Sequence, residues 1–528
     1  MYTFSNSLRT FAFILMAVGI LGIGYSFFTA PTSLEEVEQI LAAEHHGGHG
    51  EAGAHEAAGA EHHEAEAAHA EHADVPAVVE HSAAEAEGTH EGHDSVNAVA
   101  THAEHDTVAT SHDAASPTGD AQEAGHDEHS ELAHAADKAA IDAVHDAHKG
   151  HDAHAEHDAH KEHAEHVFKQ LQNKPWAALY VAAIFFMLIS LGVLAFYAIQ
   201  NVAQAGWSPV LFRVMEGITS YLLPGSIVVF VLLVLGVLQF HHLFIWMDPA
   251  VVAEDHLIKA KSGYLNGTFT LIRAVIFFGG WILYRQYSRK QSLAQDEATD
   301  NLAYKKSFKA AAGFLAFFIV TESIMSWDWI MSVDPHWYST LFGWYVFASF
   351  FVSGITTIAL VTLYLKSKGY LEYVNTSHIH DLAKFMFGIS VFWTYLWFSQ
   401  FMLMWYADMP EEVVYFKMRI DNYNLPFFGM VVMNFVFPIL ILVNTDFKRL
   451  SWIVVMAGIV ILCGHYVDFF NMIMPATVGD QWFIGAGEIG SVLFFFGLFI
   501  FVVFTALTKV PLLAKRNPLI EESKHFHY

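Results

Sequence analysis

Ten stretches of this 528-residue chain are each long and apolar enough to cross a bilayer, which takes roughly 20 residues of helix. They cover approximately residues 11–30, 176–199, 221–243, 268–284, 308–329, 341–365, 385–406, 426–443, 451–471 and 489–508. Lipid offers no water to bond a bare backbone N–H or C=O, so such segments must satisfy those groups internally as helices. The expectation is an all-α, polytopic membrane protein with about ten transmembrane helices.

Basic residues orient the spans. With a cytoplasmic N-terminus, 17 of the 27 Lys and Arg fall inside, including a run from Arg285 to Lys309, and nine fall outside. Five of those nine lie in the long 31–175 connection, which counts weakly because long loops translocate regardless of charge. Both termini are then cytoplasmic and the long loop is external. Residues 1–30, with Arg9, an apolar run and Thr29-Ala30, also resemble a signal sequence. Phe28 stands where a small residue would precede cleavage, so retention as a membrane anchor is the expectation. The chain thus reads as a first helix (1–30), an external segment (31–175), a nine-helix membrane core (176–510) and a cytoplasmic tail (511–528).

Charge is distributed very unevenly. The chain has a formal net charge of −27, yet residues 44–166 hold 29 Asp and Glu, three Lys and 25 of the 34 His, so that segment carries −26 and everything else −1. A soluble acidic enzyme is excluded. Segment 44–166 is mostly Ala, His, Glu, Asp and Gly and has too little apolar surface to offset the entropy of ordering, so most of it is expected to be disordered. His145, His148, His151, His154, His157, His160, His163 and His166 recur every third residue, a spacing that winds around an α-helix and specifies no metal cage. Weak binding of zinc, copper or nickel is one reading. The favoured one is a solvated linker whose imidazoles, with pKa about 6.5, cancel most of its charge in an acidic medium.

Cys463 is the only cysteine, so an iron–sulfur cluster of four thiolates belongs to a partner. Scattered basic residues form no patch for nucleic acid. Ionisable groups inside spans are costly and default to functional candidates. Those here are Glu322 and Asp328 in the fifth span, His465 and Asp468 in the ninth, and His241 and His242 ending the third. His465 and Asp468, three apart, share a helix face and suit an acid–imidazole pair. Asp248 and Asp334, each before proline beyond the third and fifth spans, are turn residues, or else proton-accepting or quinone-positioning groups. Arg273 is expected to snorkel to the headgroups. Gly485-Ala486-Gly487-Glu488-Ile489-Gly490 matches a dinucleotide-binding spacing, but without a preceding strand it reads as a tight turn into the tenth span, with small residues for close packing.

The phrases Trp327-Asp328-Trp329-Ile330-Met331-Ser332-Val333-Asp334-Pro335-His336-Trp337-Tyr338-Ser339-Thr340, Phe342-Gly343-Trp344-Tyr345 and Ser399-Gln400-Phe401-Met402-Leu403-Met404-Trp405-Tyr406-Ala407-Asp408-Met409-Pro410-Glu411-Glu412 resemble the integral subunits of bacterial alternative complex III. These are polysulfide-reductase-like (NrfD-like) proteins of a respiratory quinol:cytochrome c, or quinol:electron acceptor, oxidoreductase, and the resemblance is to the ActF type. It covers most of 176–510 and leaves out 44–166. It implies two four-helix bundles plus flanking helices, and a complex with a sister NrfD-like membrane subunit, an iron–sulfur subunit and c-type cytochrome subunits. This chain would carry no redox centre of its own, with iron–sulfur clusters and c-type haems held by its partners. Quinol from the membrane pool would be oxidised mainly in the sister subunit, and this subunit is a candidate for proton transfer and, secondarily, for quinone binding. Carried onto this sequence, the resemblance puts Asp328, Asp334 and His336 first as proton-transfer residues. Buried charge adds His242, Glu322, His465 and Asp468, and the Asp-Pro turn beyond the third span adds Asp248. Two alternatives stay open, an autonomous proton or ion transporter and a b-type haem membrane cytochrome using His241, His242 or His465.

Overall fold

The computed structural model describes residues 2–39, 41 and 130–527, with only the backbone course given for 130–160 and 162. Among these residues every regular element is helical. Ten helices are long and apolar enough to cross a membrane. They are α1 (Asn6–Thr29), α2 (Ser130–Val202), α3 (Pro209–Val237), α4 (Gly267–Glu297), α5 (Leu302–Trp329), α6 (Phe342–Ser367), α7 (Thr376–Ala407), α8 (Asn424–Leu442), α9 (Ser451–Val478) and α10 (Ala486–Leu507). The chain is an all-α, multi-pass membrane protein.

Two compact units divide the chain, one of residues 1–42 and 159–528 and the other of 43–158. Most of the His-rich segment, with the side chains of His145, His148, His151, His154, His157 and His160, lies outside the described residues. From Ser130 the backbone is helical, which suits its Ala, Glu and Lys, all good helix formers. His163 and His166 are exposed, and the Gln170 amide donates to His166 Nε2 at 2.8 Å.

Within the first unit α4 packs on α5 and α3, α6 on α5, α7 and α9, α9 on α8, and α1 runs along α10. Beyond Trp176, α2 is apolar on all sides and almost wholly buried, as is α6, the expected place for a helix without a polar face. The two cross where a Cβ on Gly192 would lie 2.6 Å from the Phe350 carbonyl oxygen and one on Gly354 2.8 Å from the Val193 amide nitrogen. Only glycine permits that approach, a common device where helices associate in lipid. The turn into α10 is resolved the same way, because a Cβ on Gly490 would sit 2.8 Å from the Ile23 amide nitrogen of α1. On its other sides α1 exposes Phe13, Leu21 and Phe28, as a lipid-facing helix should.

The end of α1 at Thr29 and the loops following α3, α5, α7 and α9 gather on one side, called here the first face. Trp246 Nε1 donates to the Ser332 carbonyl (2.9 Å), Lys261 to the Pro335 carbonyl (2.5 Å) and Tyr423 to the Gly479 carbonyl (2.6 Å). The other loops form the second face, where Ser523 Oγ donates to the Trp207 carbonyl (2.7 Å) and Asn375 to the Phe526 carbonyl (2.6 Å).

Among the spans that end away from the apolar pattern, two show the physical reason. α3 stops at Val237 instead of running to 243, and Gln239 turns the chain with φ of 61°. His241 and His242 therefore lie in the link beyond the helix. Apolar content hides this stop because Leu243 and Phe244, past the turn, are themselves buried. α4 continues to Glu297, well beyond 284, because polar helix formers end an apolar run without ending a helix.

Candidate functional site

Three buried groups expected from the sequence, Asp328, Asp468 and His465, meet partners contributed by other helices. Asp328, fully buried near the first-face end of α5, accepts from Arg273 Nε of α4 at 2.5 Å. Arg273 does not snorkel. It is 7% exposed, donates to the Tyr264 carbonyl (3.2 Å) and Thr270 Oγ1 (3.0 Å), and lies 4.1 Å and 4.2 Å from the ring centroids of Tyr264 and Phe269. A buried carboxylate available for pairing outweighs the pull of the headgroups on the guanidinium. Burial, with the Asp328 carboxylate beside it, raises the Tyr264 phenol above its ordinary range. Nearly two turns earlier, Glu322 is buried and bonded only by Ser323 Oγ (2.8 Å), leaving its Oε2 unpartnered.

Asp468 on α9 is equally buried but has no cation bonded to it. The Tyr345 hydroxyl of α6 donates to its Oδ1, and Trp393 Nε1 of α7 donates to its Oδ2 at 2.8 Å. His465 shares the helix face as its spacing implied, but its Nδ1 stands 3.6 Å from Asp468 Oδ2 and pairs at 2.9 Å with Ser349 Oγ. The imidazole meets the Trp393 ring edge-on at 5.4 Å, and its Nε2 has no partner. Beside this helix α8 makes one π-helical turn, Val432–Val436, that buries Asn434 with both amide atoms unpartnered. Such turns concentrate at functional sites.

A small cavity adjoins the cluster, lined by Tyr345, Gln400, Tyr415, Arg419 and Asn471 among others. Its volume of about 10 Å³ suits a single water. Arg419, in the helix Pro410–Asp421, is buried and donates only to carbonyls, those of Tyr415 (2.7 Å), Asn471 (2.9 Å) and Met472 (3.4 Å). The Tyr415 ring stacks on Trp337 at 3.9 Å between centroids, which carries the cluster from α9 to the loop containing Asp334 and His336. Tyr345, Trp393, Ser349 and Arg419 were not singled out from sequence, because tyrosine, tryptophan and serine are common in spans and only a neighbouring helix shows which of them faces a carboxylate.

The remaining candidates occupy the first face. Asp334 is partly buried at the turn closing Met331–Val333. His336 is exposed and pairs with Asp255 at 2.6 Å. The Ile258 N–H, then His336 and the Leu257 N–H, hold the Asp255 carboxyl below its usual range. Asp248 caps the short helix Pro249–Glu254 by accepting from the Ala250 N–H at 2.9 Å, the turn chemistry its Asp-Pro context implied. His242 is exposed, and Asn173 bonds its backbone from both sides (3.0 and 3.2 Å). Its neighbour His241 is the buried one, with Nε2 against the Leu232 carbonyl at 2.9 Å, and burial lowers its imidazole pKa.

A further charged cluster near the second face was not visible as a motif. Arg213 bridges Glu216 (2.8 Å) and Asp296 (2.6 Å), and Asp296 also accepts from the Lys515 N–H (2.8 Å). Among the described residues no three His, Cys, Asp or Glu side chains converge as a metal-binding group. No known protein-family profile and no curated protein matches the chain.

Proposed function

We propose that this chain is an integral subunit of a respiratory quinol:cytochrome c, or quinol:electron acceptor, oxidoreductase in the bacterial cytoplasmic membrane. In this reading the first face is external, both termini are cytoplasmic, and a sister membrane subunit, an iron–sulfur subunit and c-type cytochromes supply the redox centres. The resemblance of residues 327–345 and 399–412 to alternative complex III supports the class of complex. The Asp468 cluster supports a role in moving protons toward the first face.

One observation carries the proton role. Asp468 is a buried carboxylate whose bonded partners, Tyr345 and Trp393, are neutral donors. Beside it stand an imidazole with an unpartnered nitrogen and a cavity with room for a water. An intramembrane acid facing imidazole and water is the usual make-up of a proton relay. Asp328 suits that role less well, since its bonded partner is a guanidinium that does not deprotonate in proteins. Protonating Asp328 would leave the Arg273 charge buried and uncompensated. Proton transfer therefore falls to Asp468 with His465, and Asp328 with Arg273 fixes α5 against α4.

The test has two stages. Purification in mild detergent should bring down the iron–sulfur and c-type haem subunits, and recovery of the chain alone would overturn the class of complex. In liposomes containing the assembled complex, Asp468→Asn should lower quinol oxidation or the proton-to-electron ratio, while Arg273→Leu/Asp328→Leu should keep that ratio. An unchanged rate and ratio in normally assembled Asp468→Asn would overturn the proton role.

A further inference from the structure

At the first-face ends of α1, α2 and α10 lies an open pocket of about 260 Å³, lined by Tyr25, Ser26, Thr29, Lys174, Gly487 and Glu488 among others. Glu488 is 4% exposed. Its Oε2 accepts from the Gly485 N–H at 2.8 Å, and its Oε1 is buried with no hydrogen-bond partner. A carboxylate oxygen left in that state costs the desolvation of a charged group unless a ligand supplies a donor. Lys174 lines the same pocket, half-buried, and makes no ion pair or side-chain hydrogen bond among the described residues. α10 begins there at Ala486, so its first-turn N–H groups and the positive end of its dipole lie at the pocket wall.

The pocket thus offers two sites of opposite sign, a cationic one for an anion and an anionic one for a cationic donor. Tyr25, which lines it, and Phe28, Phe483 and Ile489, each within two residues of a lining residue, are exposed apolar side chains, a surface suited to acyl chains. We propose that this pocket binds the headgroup of an aminophospholipid, phosphatidylethanolamine in class. The phosphate sits on Lys174 and the first turn of α10, and the primary ammonium donates to Glu488 Oε1. A quaternary ammonium has no N–H to donate, so phosphatidylcholine leaves Glu488 unsatisfied. A headgroup with phosphate but no amine, seated on Lys174, leaves the Glu488 carboxylate without a cation. The inference is independent of the proton relay, because none of these residues belongs to the Asp468 cluster.

The test uses the full-length chain, delipidated in detergent and titrated with phosphatidylethanolamine, phosphatidylcholine or phosphatidylglycerol of matched acyl chains. Native mass spectrometry counts bound lipid and thermal unfolding reads the stabilisation. A charge-assisted hydrogen bond to a buried carboxylate predicts that phosphatidylethanolamine binds about tenfold more tightly than phosphatidylcholine. Glu488→Gln should abolish that preference, and Lys174→Met should weaken both lipids alike. Soluble glycerophosphoethanolamine at equal concentration should not displace the lipid. Equal binding of the two lipids by the unaltered protein, or displacement by the soluble headgroup, would overturn the proposal. If Glu488→Gln does not fold, the comparison of lipids on the unaltered protein still decides.

Discussion

Asp328 and Asp468 are two fully buried carboxylates toward the same face of the protein, and they are stabilised in opposite ways. Asp328 is held by a permanent cation, with Nε of Arg273 at 2.5 Å. Asp468 is held by a phenol and an indole, with an imidazole at 3.6 Å. Depth and burial are therefore insufficient to identify a proton carrier. Arg273 makes its site a neutral unit that loses greatly if either charge is removed. Tyr345 and Trp393 stabilise Asp468 by hydrogen bonds alone, which leaves its charge free to change.

The largest effect expected from this contrast is at the ion pair. Arg273→Leu strands the Asp328 charge and should cost about 3–5 kcal/mol in thermal unfolding. Arg273→Leu/Asp328→Leu should recover most of that loss, since an apolar pair of similar volume replaces a buried ion pair at little cost. A single substitution no more damaging than the double would mean that the pair is not electrostatically coupled, and the contrast would fail.

Asp468→Asn should cost less, about 1–3 kcal/mol, because the amide can keep one acceptor bond while its NH₂ opposes the other donor. Unfolding midpoints of this variant beside Arg273→Leu place the two sites on one scale. A loss at Asp468 as large as that at Arg273 would show that a nearby cation, such as Arg419 on the adjoining cavity, acts on it as strongly as Arg273 acts on Asp328.

The smallest effect concerns a carboxylate outside the membrane. The Asp255 carboxyl is held below its ordinary value in the folded protein, so its contribution to stability is complete above the unfolded value of about 3.9 and is lost as pH falls through the lower folded value. Asp255→Asn should therefore differ from the unaltered protein at neutral pH and converge with it in strong acid. A difference that grows on acidification would contradict the sign of this linkage.

Much of the architecture was legible from apolar run length, because a lipid-spanning helix needs both length and a nearly uncharged surface. The glycines at the start of α10 were legible as packing residues, and Asp248 as turn chemistry. The end of α3 was not, since a buried apolar link has the same composition as a helix. Nor were the partners of the buried acids. His465 and Asp468 stand three apart on one helix, but Tyr345 and Trp393 lie 123 and 75 residues from Asp468.

By itself the sequence determined that this is a helical membrane protein, where its helices run, and which few charges must lie among them, because transfer into lipid depends on the composition of each segment alone. The tertiary structure decided which of those charges is locked to a cation and which is left among neutral donors. That choice depends on the rotation and crossing of helices far apart in the chain, down to the close approach of α2 and α6 at Gly192 and Gly354, and no local spacing encodes it.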